Sequence, residues 1–124
     1  ISVMNLVAIF IGGGLGSLCR YSLGKFIAFY GSSLAYATLF SNVLSTIVLA
    51  LFVYFFQEKM GLNEAWQLFV ITGFCGGFST FSTFSFETFE LLKNGQTALA
   101  FANVFVSVLL CLFVLYIIYK KSIL

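Results

Sequence analysis

Gly76-Gly77-Phe78-Ser79-Thr80-Phe81-Ser82-Thr83-Phe84-Ser85 interrupts an apolar segment with two glycines and five hydroxyl side chains. Glycine weakens a helix, and Ser and Thr side chains compete for its backbone hydrogen bonds, so the run predicts a break. In a bilayer such a break persists only where protein or a water-filled cavity covers it. The stretch is therefore expected to form an ion site inside a membrane protein, not a surface facing lipid.

The rest of the chain agrees with that setting. It is 61% hydrophobic and 8% charged, with a mean hydropathy of +1.10; soluble domains carry about 25% charged residues. This predicts an all-α integral membrane protein. A spanning helix needs about 20 apolar residues, so 124 residues accommodate four helices in one domain. The apolar segments fall at about residues 5–30, 34–56, 65–92 and 97–119, the third broken near residues 76–80. Gly31-Ser32-Ser33, the link from Gln57 to Glu64 and Lys93-Asn94-Gly95-Gln96 separate them, with Asn63 a candidate N-cap. Proline is absent, which assigns the break to Gly76, Gly77 and the hydroxyl cluster. Met4 is read as the start of the domain and Ile1 to Val3 as an extension. No basic region precedes the first apolar segment, so that segment is expected to remain as a helix.

The same composition excludes several classes of function. Without histidine or aspartate there is little from which to build a metal cluster, a catalytic triad or a carboxylate pair, so no enzyme is expected. Cys19, Cys75 and Cys111 are far apart in apolar sequence and are read as small packing residues. A net charge of +2, widely spread, does not suggest nucleic acid.

Basic residues also bear on topology. With four spans, Lys59, Lys120 and Lys121 lie on the side of the termini, and Lys25 and Lys93 on the other, joined by Arg20 if it reaches that interface. Orientation follows the excess of Lys and Arg in cytoplasmic loops, and the excess here is close to nothing. The chain is expected to insert both ways up and to pair with its inverted copy; a weak bias that still selects one orientation is the alternative.

Several residues are placed to carry an ion. Phe81 and Phe84 are neighbours at i, i+3, beside a row of Thr80, Thr83 and Glu87. Ring edges are positive and hydroxyls donate, which suits an anion; ordinary packing is the plainer role for any phenylalanine. Asn42 is surrounded by Thr38, Ser41, Ser45 and Thr46, giving either neutral N–H donors for an anion or an interhelical hydrogen bond. Asn103 and Ser107 form a weaker stripe. Arg20 and Glu87 are the charges set deepest in apolar sequence. Arg20 reads as an electropositive vestibule or as a side chain snorkelling to the interface, and Glu87 as bonded to Thr83 near a helix end. Gly12/Gly16 and Gly73/Gly77 have the spacing of close helix contacts.

Gly12-Gly13-Gly14-Leu15-Gly16 with Arg20-Tyr21, Asn42, and the run from Gly73 to Ser85 with Glu87 resemble the Fluc (CrcB) family of microbial fluoride channels across essentially the whole chain. The resemblance implies an antiparallel, dual-topology homodimer in the bacterial cytoplasmic membrane. Such a dimer has two pores that export fluoride passively, relieving its toxicity, and a structural sodium ion (Na+) at the centre of the interface. It implies further that the carbonyls of Gly76 and Ser79 hold the sodium. Phe81, Phe84, Asn42, Thr38, Ser82, Thr83 and Glu87 would line the fluoride path, and Arg20 its vestibule. Two departures stand out: Ser79 occupies a position often held by threonine, and Asn103 and Phe105 lie where the family has a pore tyrosine.

Two other readings keep the four helices. A proton-coupled exporter similar to the small multidrug-resistance family needs a carboxylate deep in the first helix, which here has Arg20 but no Asp or Glu. A non-transporting subunit of a larger complex would use every polar stripe for packing.

Overall fold

The computed structural model describes residues 1–31, 34–56 and 64–123, and all regular structure within them is helical. α1 covers Val3–Phe29, with the Ser2 side chain accepting the Met4 N–H at its start. α2 covers Leu34–Leu51 and continues as a π-helical turn over Phe52–Phe56. The third span is built from α3 (Glu64–Gln67), a π-helical stretch Leu68–Cys75, α4 (Gly76–Phe78) and, after a break, α5 (Phe81–Lys93). α6 covers Thr97–Ser122. Four stretches are long and apolar enough to cross a membrane: Val3–Phe29, Tyr36–Phe56, Glu64–Lys93 and Thr97–Ser122. The expected N-cap Asn63 and most of the link before it lie outside the described residues.

Size, more than polarity, separates inside from outside. Ser41 and Ala50 are fully buried, and Gly12, Gly16, Ala37, Ser45, Gly73, Cys75 and Ala100 are buried with them. Phe10, Phe29, Phe86, Leu109 and Phe113 point outward. Lipid is as apolar as leucine, so helices gain little by hiding large side chains and associate instead by close backbone approach. The contact between α1 and the third span shows how close. A Cβ on Gly12 would collide with the Phe69 carbonyl, one on Gly16 with the Phe74 carbonyl, and one on Gly77 with the Gly13 carbonyl. The two glycine pairs mesh with each other.

That packing confines the break to the end of the expected range. Gly76 and Gly77 stay helical, and the chain extends at Ser79 (φ −86°, ψ 160°) and Thr80 (φ −154°, ψ 124°). Gly77 is held against α1, whereas the hydroxyls have other partners for the backbone to use. The Ser79 hydroxyl donates to the Cys75 carbonyl at 2.7 Å, and the Thr80 hydroxyl caps α5 by accepting the Thr83 N–H at 3.2 Å.

Candidate functional site

The break rearranges the hydrogen bonds of one helical turn. In a continuous helix the Thr80 N–H would donate to the Gly76 carbonyl; here it donates to Asn42 Oδ1 on α2 at 2.9 Å. The Thr83 N–H, which would reach the Ser79 carbonyl, goes to the Thr80 hydroxyl. Gly77 loses the Phe81 N–H and receives Arg20 Nε from α1 at 3.1 Å. The carbonyls of Gly76 and Ser79 are thus left without their helical donors, and Gly76 lies at the exposed face of the chain.

Two clefts with polar groups set in largely apolar walls lie beside this turn. The first, of about 290 Å³, is lined by Asn42, Thr80, Phe81, Phe84, Ser107 and Cys111. Because the Asn42 oxygen is occupied by Thr80, its two N–H donors are free to face the cleft. The rings of Phe81 and Phe84 meet there at 5.9 Å between centroids, tilted by 43°. Ser107 contributes a hydroxyl that is buried and has no hydrogen-bond partner. Among the described residues, no charged side chain lines this cleft.

The second cleft, about 320 Å³, is lined by Arg20, Lys25, Thr38, Ser41, Thr83 and Glu87. Arg20 lies nine residues before the end of α1, about 13 Å along the helix axis. It does not snorkel but turns inward onto Gly77. Lys25 Nζ sits over the Tyr21 ring, 5.5 Å from its centroid. Glu87 accepts the Thr38 hydroxyl on Oε2 at 3.0 Å, and its Oε1 is buried without a partner, as is the Ser41 hydroxyl. The expected bond from Glu87 to Thr83 is replaced by this one across to α2. The reason is that Glu87 lies in the middle of α5, facing α2, and not at a helix end.

The candidate path read from the sequence as one surface is therefore two. Phe81, Phe84 and Asn42 share the first cleft; Thr38, Thr83, Glu87 and Arg20 share the second. Ser82 is exposed, its hydroxyl 3.3 Å from that of Thr80. The Asn103–Ser107 stripe also divides: Asn103 Nδ2 donates to the Thr88 hydroxyl at 3.0 Å and braces α6 against α5, while Ser107 faces the first cleft. Every buried side-chain oxygen without a partner among the described residues, those of Ser41, Glu87 and Ser107, belongs to a residue lining one of the two clefts.

A family model described as "CrcB-like protein, Camphor Resistance (CrcB)" matches residues 7–119. The chain belongs to the CrcB family. Among curated relatives, it is 38% identical over 112 residues to "Fluoride-specific ion channel FluC" of Pyrococcus horikoshii, covering 90% of each chain. Proteins of the same name from Geobacter sp. (strain M21) and Citrifermentans bemidjiense are 42% and 41% identical over 109 residues, covering 87% of this chain and 88% of theirs.

Within this CrcB protein, Ser41, which the sequence places in the polar stripe around Asn42, lines the second cleft, and Cys111 lines the first; Ser107 had no assigned role. The signal was present: Asn103, Ser107 and Cys111 are spaced i, i+4, i+8 on one helix. Of the cysteines, Cys75 alone is buried; Cys19 is exposed and Cys111 half-buried.

Proposed function

We propose that the protein is a passive, fluoride-selective channel that lets the ion leave the cytoplasm across the cytoplasmic membrane. Two inverted copies assemble it, with one path along each. The observation that carries this reading is the fixed orientation of Asn42. Its oxygen is held by Thr80, so its donors serve a cleft that also offers ring edges and an unpartnered hydroxyl. A small anion needs such donors in place of its water shell, and the absence of a fixed cation there lets it leave again. The curated relatives' name, fluoride-specific ion channel, supports the same conclusion. Such a protein conducts and does not catalyse.

What one copy leaves open supports this assembly. Phe81 is 80% exposed although it lines the first cleft, and Gly76 and Ser82 are exposed beside it. A second copy would cover them and close the cleft into a path. The near-even distribution of Lys and Arg between the two sides allows that copy to be inverted.

A structural sodium ion at the interface fits the residues present. The Gly76 and Ser79 carbonyls have lost their helical donors, and oxygen ligands from an unwound backbone suit a hard cation. Bound there, sodium would supply positive charge between the two breaks. This chain's part is to keep the carbonyls free, through Asn42 taking the Thr80 N–H and Thr80 capping Thr83.

The deciding experiment is efflux from proteoliposomes loaded with fluoride or with chloride. Rapid fluoride release with little chloride release is expected; equal rates for both ions overturn the selectivity, and no release of either overturns the channel.

A further inference from the structure

α5 carries walls of both clefts, yet it buries none of its residues and contains no glycine of the kind that brings α1 against the third span. Two adjacent side chains tie it to the helices on either side. Glu87 accepts the Thr38 hydroxyl of α2 at 3.0 Å, and Thr88 accepts the Asn103 Nδ2–H of α6 at 3.0 Å. Successive residues lie about 100° apart around a helix, so one tie faces each neighbour. The direction of the second is fixed as well: the Thr88 hydroxyl spends its proton on the Phe84 carbonyl at 2.8 Å, which leaves its oxygen to accept from Asn103.

The Asn103–Thr88 bond stands between two cavities. On α5, Phe84 lies one turn before Thr88 and lines the first cleft, of about 290 Å³; Leu91 lies about one turn after it and lines a third cleft, of about 300 Å³. On α6 the order is reversed, Ser107 one turn after Asn103 lining the first cleft and Leu99 one turn before it lining the third. The bond is thus one turn from each of two facing walls of the first cleft, with open space on both sides of it. No water competes for Asn103 at membrane depth, so the amide stays on its partner.

We propose that Asn103 is a specificity-determining positioning residue: through Thr88 it sets the spacing of Phe84 and Ser107 across the Asn42 cleft, and that spacing favours fluoride over the larger chloride. The inference rests on reading the Asn42 cleft as the ion path. Asn103 lines the third cleft and not the first, so it acts on the path without touching the ion. Donors and ring edges discriminate between two halides only if they are kept from moving apart to fit the larger one. A hydrogen bond between the two helices, one turn from each wall, opposes that movement.

The test is the ratio of fluoride to chloride efflux rates from proteoliposomes, measured for the unaltered chain, Asn103→Leu, Thr88→Val, the double variant and Thr88→Ser. Each of Asn103→Leu and Thr88→Val is expected to lower the ratio by about threefold to tenfold, the scale of one hydrogen bond between membrane helices. The double variant should fall no further than the lower of the two, because both changes remove the same bond. Thr88→Ser keeps the hydroxyl and should keep the ratio. A bond that merely holds the helices together would slow both ions or lower the unfolding temperature and leave the ratio where it was, and that result overturns the proposal. So does a double variant that falls by the product of the two single effects, or a Thr88→Ser that behaves as Thr88→Val. The two single variants read the bond from opposite helices, so one that assembles is enough. An unaltered chain that releases both ions at equal rates overturns the selectivity of the cleft itself, a failure distinct from that of a selective chain whose variants are equally selective.

Discussion

Arg20 Nε donates to the Gly77 carbonyl across 3.1 Å, so the most deeply set cation of α1 clamps the turn at which the third span breaks. A charged side chain at the centre of a helix in a membrane costs about 2.5–3.5 kcal/mol on insertion scales, and one that persists there has a partner or a pathway. Arg20 has a partner in Gly77, and it also lines the second cleft. Arg20→Ala is expected to lower the stability of the folded protein in detergent by about 1.5–3 kcal/mol, the range for a hydrogen bond to a charged group. Fluoride flux should fall with it. Arg20→Lys keeps the charge but not the Nε–H geometry. Stability unchanged in Arg20→Ala would remove the clamp.

Asn42 offers a substitution that separates its two ends. Asn42→Asp retains an oxygen for the Thr80 N–H and replaces the donors facing the cleft with a negative charge. Assembly on size exclusion is expected to be normal, while fluoride efflux falls by about a hundredfold or more because like charges repel strongly in a medium of low dielectric. Flux within a factor of about two of the unaltered protein would place the ion elsewhere.

Ser107→Ala is expected to move stability and function in opposite directions. Removing a buried hydroxyl that has no partner relieves a cost of about 1–3 kcal/mol, so the variant should be as stable as the parent or more so. Efflux should nevertheless slow, since the path loses a donor. Thermal unfolding and efflux measured on the same preparation decide it, and a faster or unchanged flux means that Ser107 does not meet the ion.

The glycines of α1 are not equivalent. A Cβ at Gly16 meets the Phe74 carbonyl and comes within 2.8 Å of the Phe78 nitrogen, whereas one at Gly14 meets nothing within 4 Å. Backbone atoms cannot rotate away as a side chain tip would. Gly16→Ala should cost about 1–3 kcal/mol or more and reduce the yield of monodisperse protein. Gly14→Ala should be neutral or slightly stabilising, because alanine favours the helix by about 1 kcal/mol. Equal behaviour of the two variants would contradict the packing of α1 on the third span.

Sodium should stabilise the assembled protein if the freed carbonyls of Gly76 and Ser79 hold it. Exchange of sodium for N-methylglucamine is expected to lower the unfolding temperature, and titration of sodium back should restore it with the logarithmic dependence of a bound ligand. An unfolding temperature independent of sodium would argue against that site.

The sequence alone determined that the chain is a four-helix membrane protein and that its third helix cannot run unbroken. Both follow from local quantities: runs of apolar residues long enough to cross a bilayer, and glycines and hydroxyls that compete with helical hydrogen bonds. It also singled out Phe81, Phe84, Asn42, Arg20 and Glu87, because polarity within a span stands out against an apolar background. What only the tertiary structure decided is how these residues divide. Gly77 is packed against α1 and stays helical, and the break falls at Ser79 and Thr80, the far end of the expected range. Thr83 and Phe84 are adjacent in sequence yet face different clefts, and Glu87 bonds to Thr38, 49 residues away. Such pairings depend on how three helices are rotated against one another, and backbone contacts between glycines set that rotation. Periodicity along one chain segment reports the face a residue occupies but not what stands opposite it.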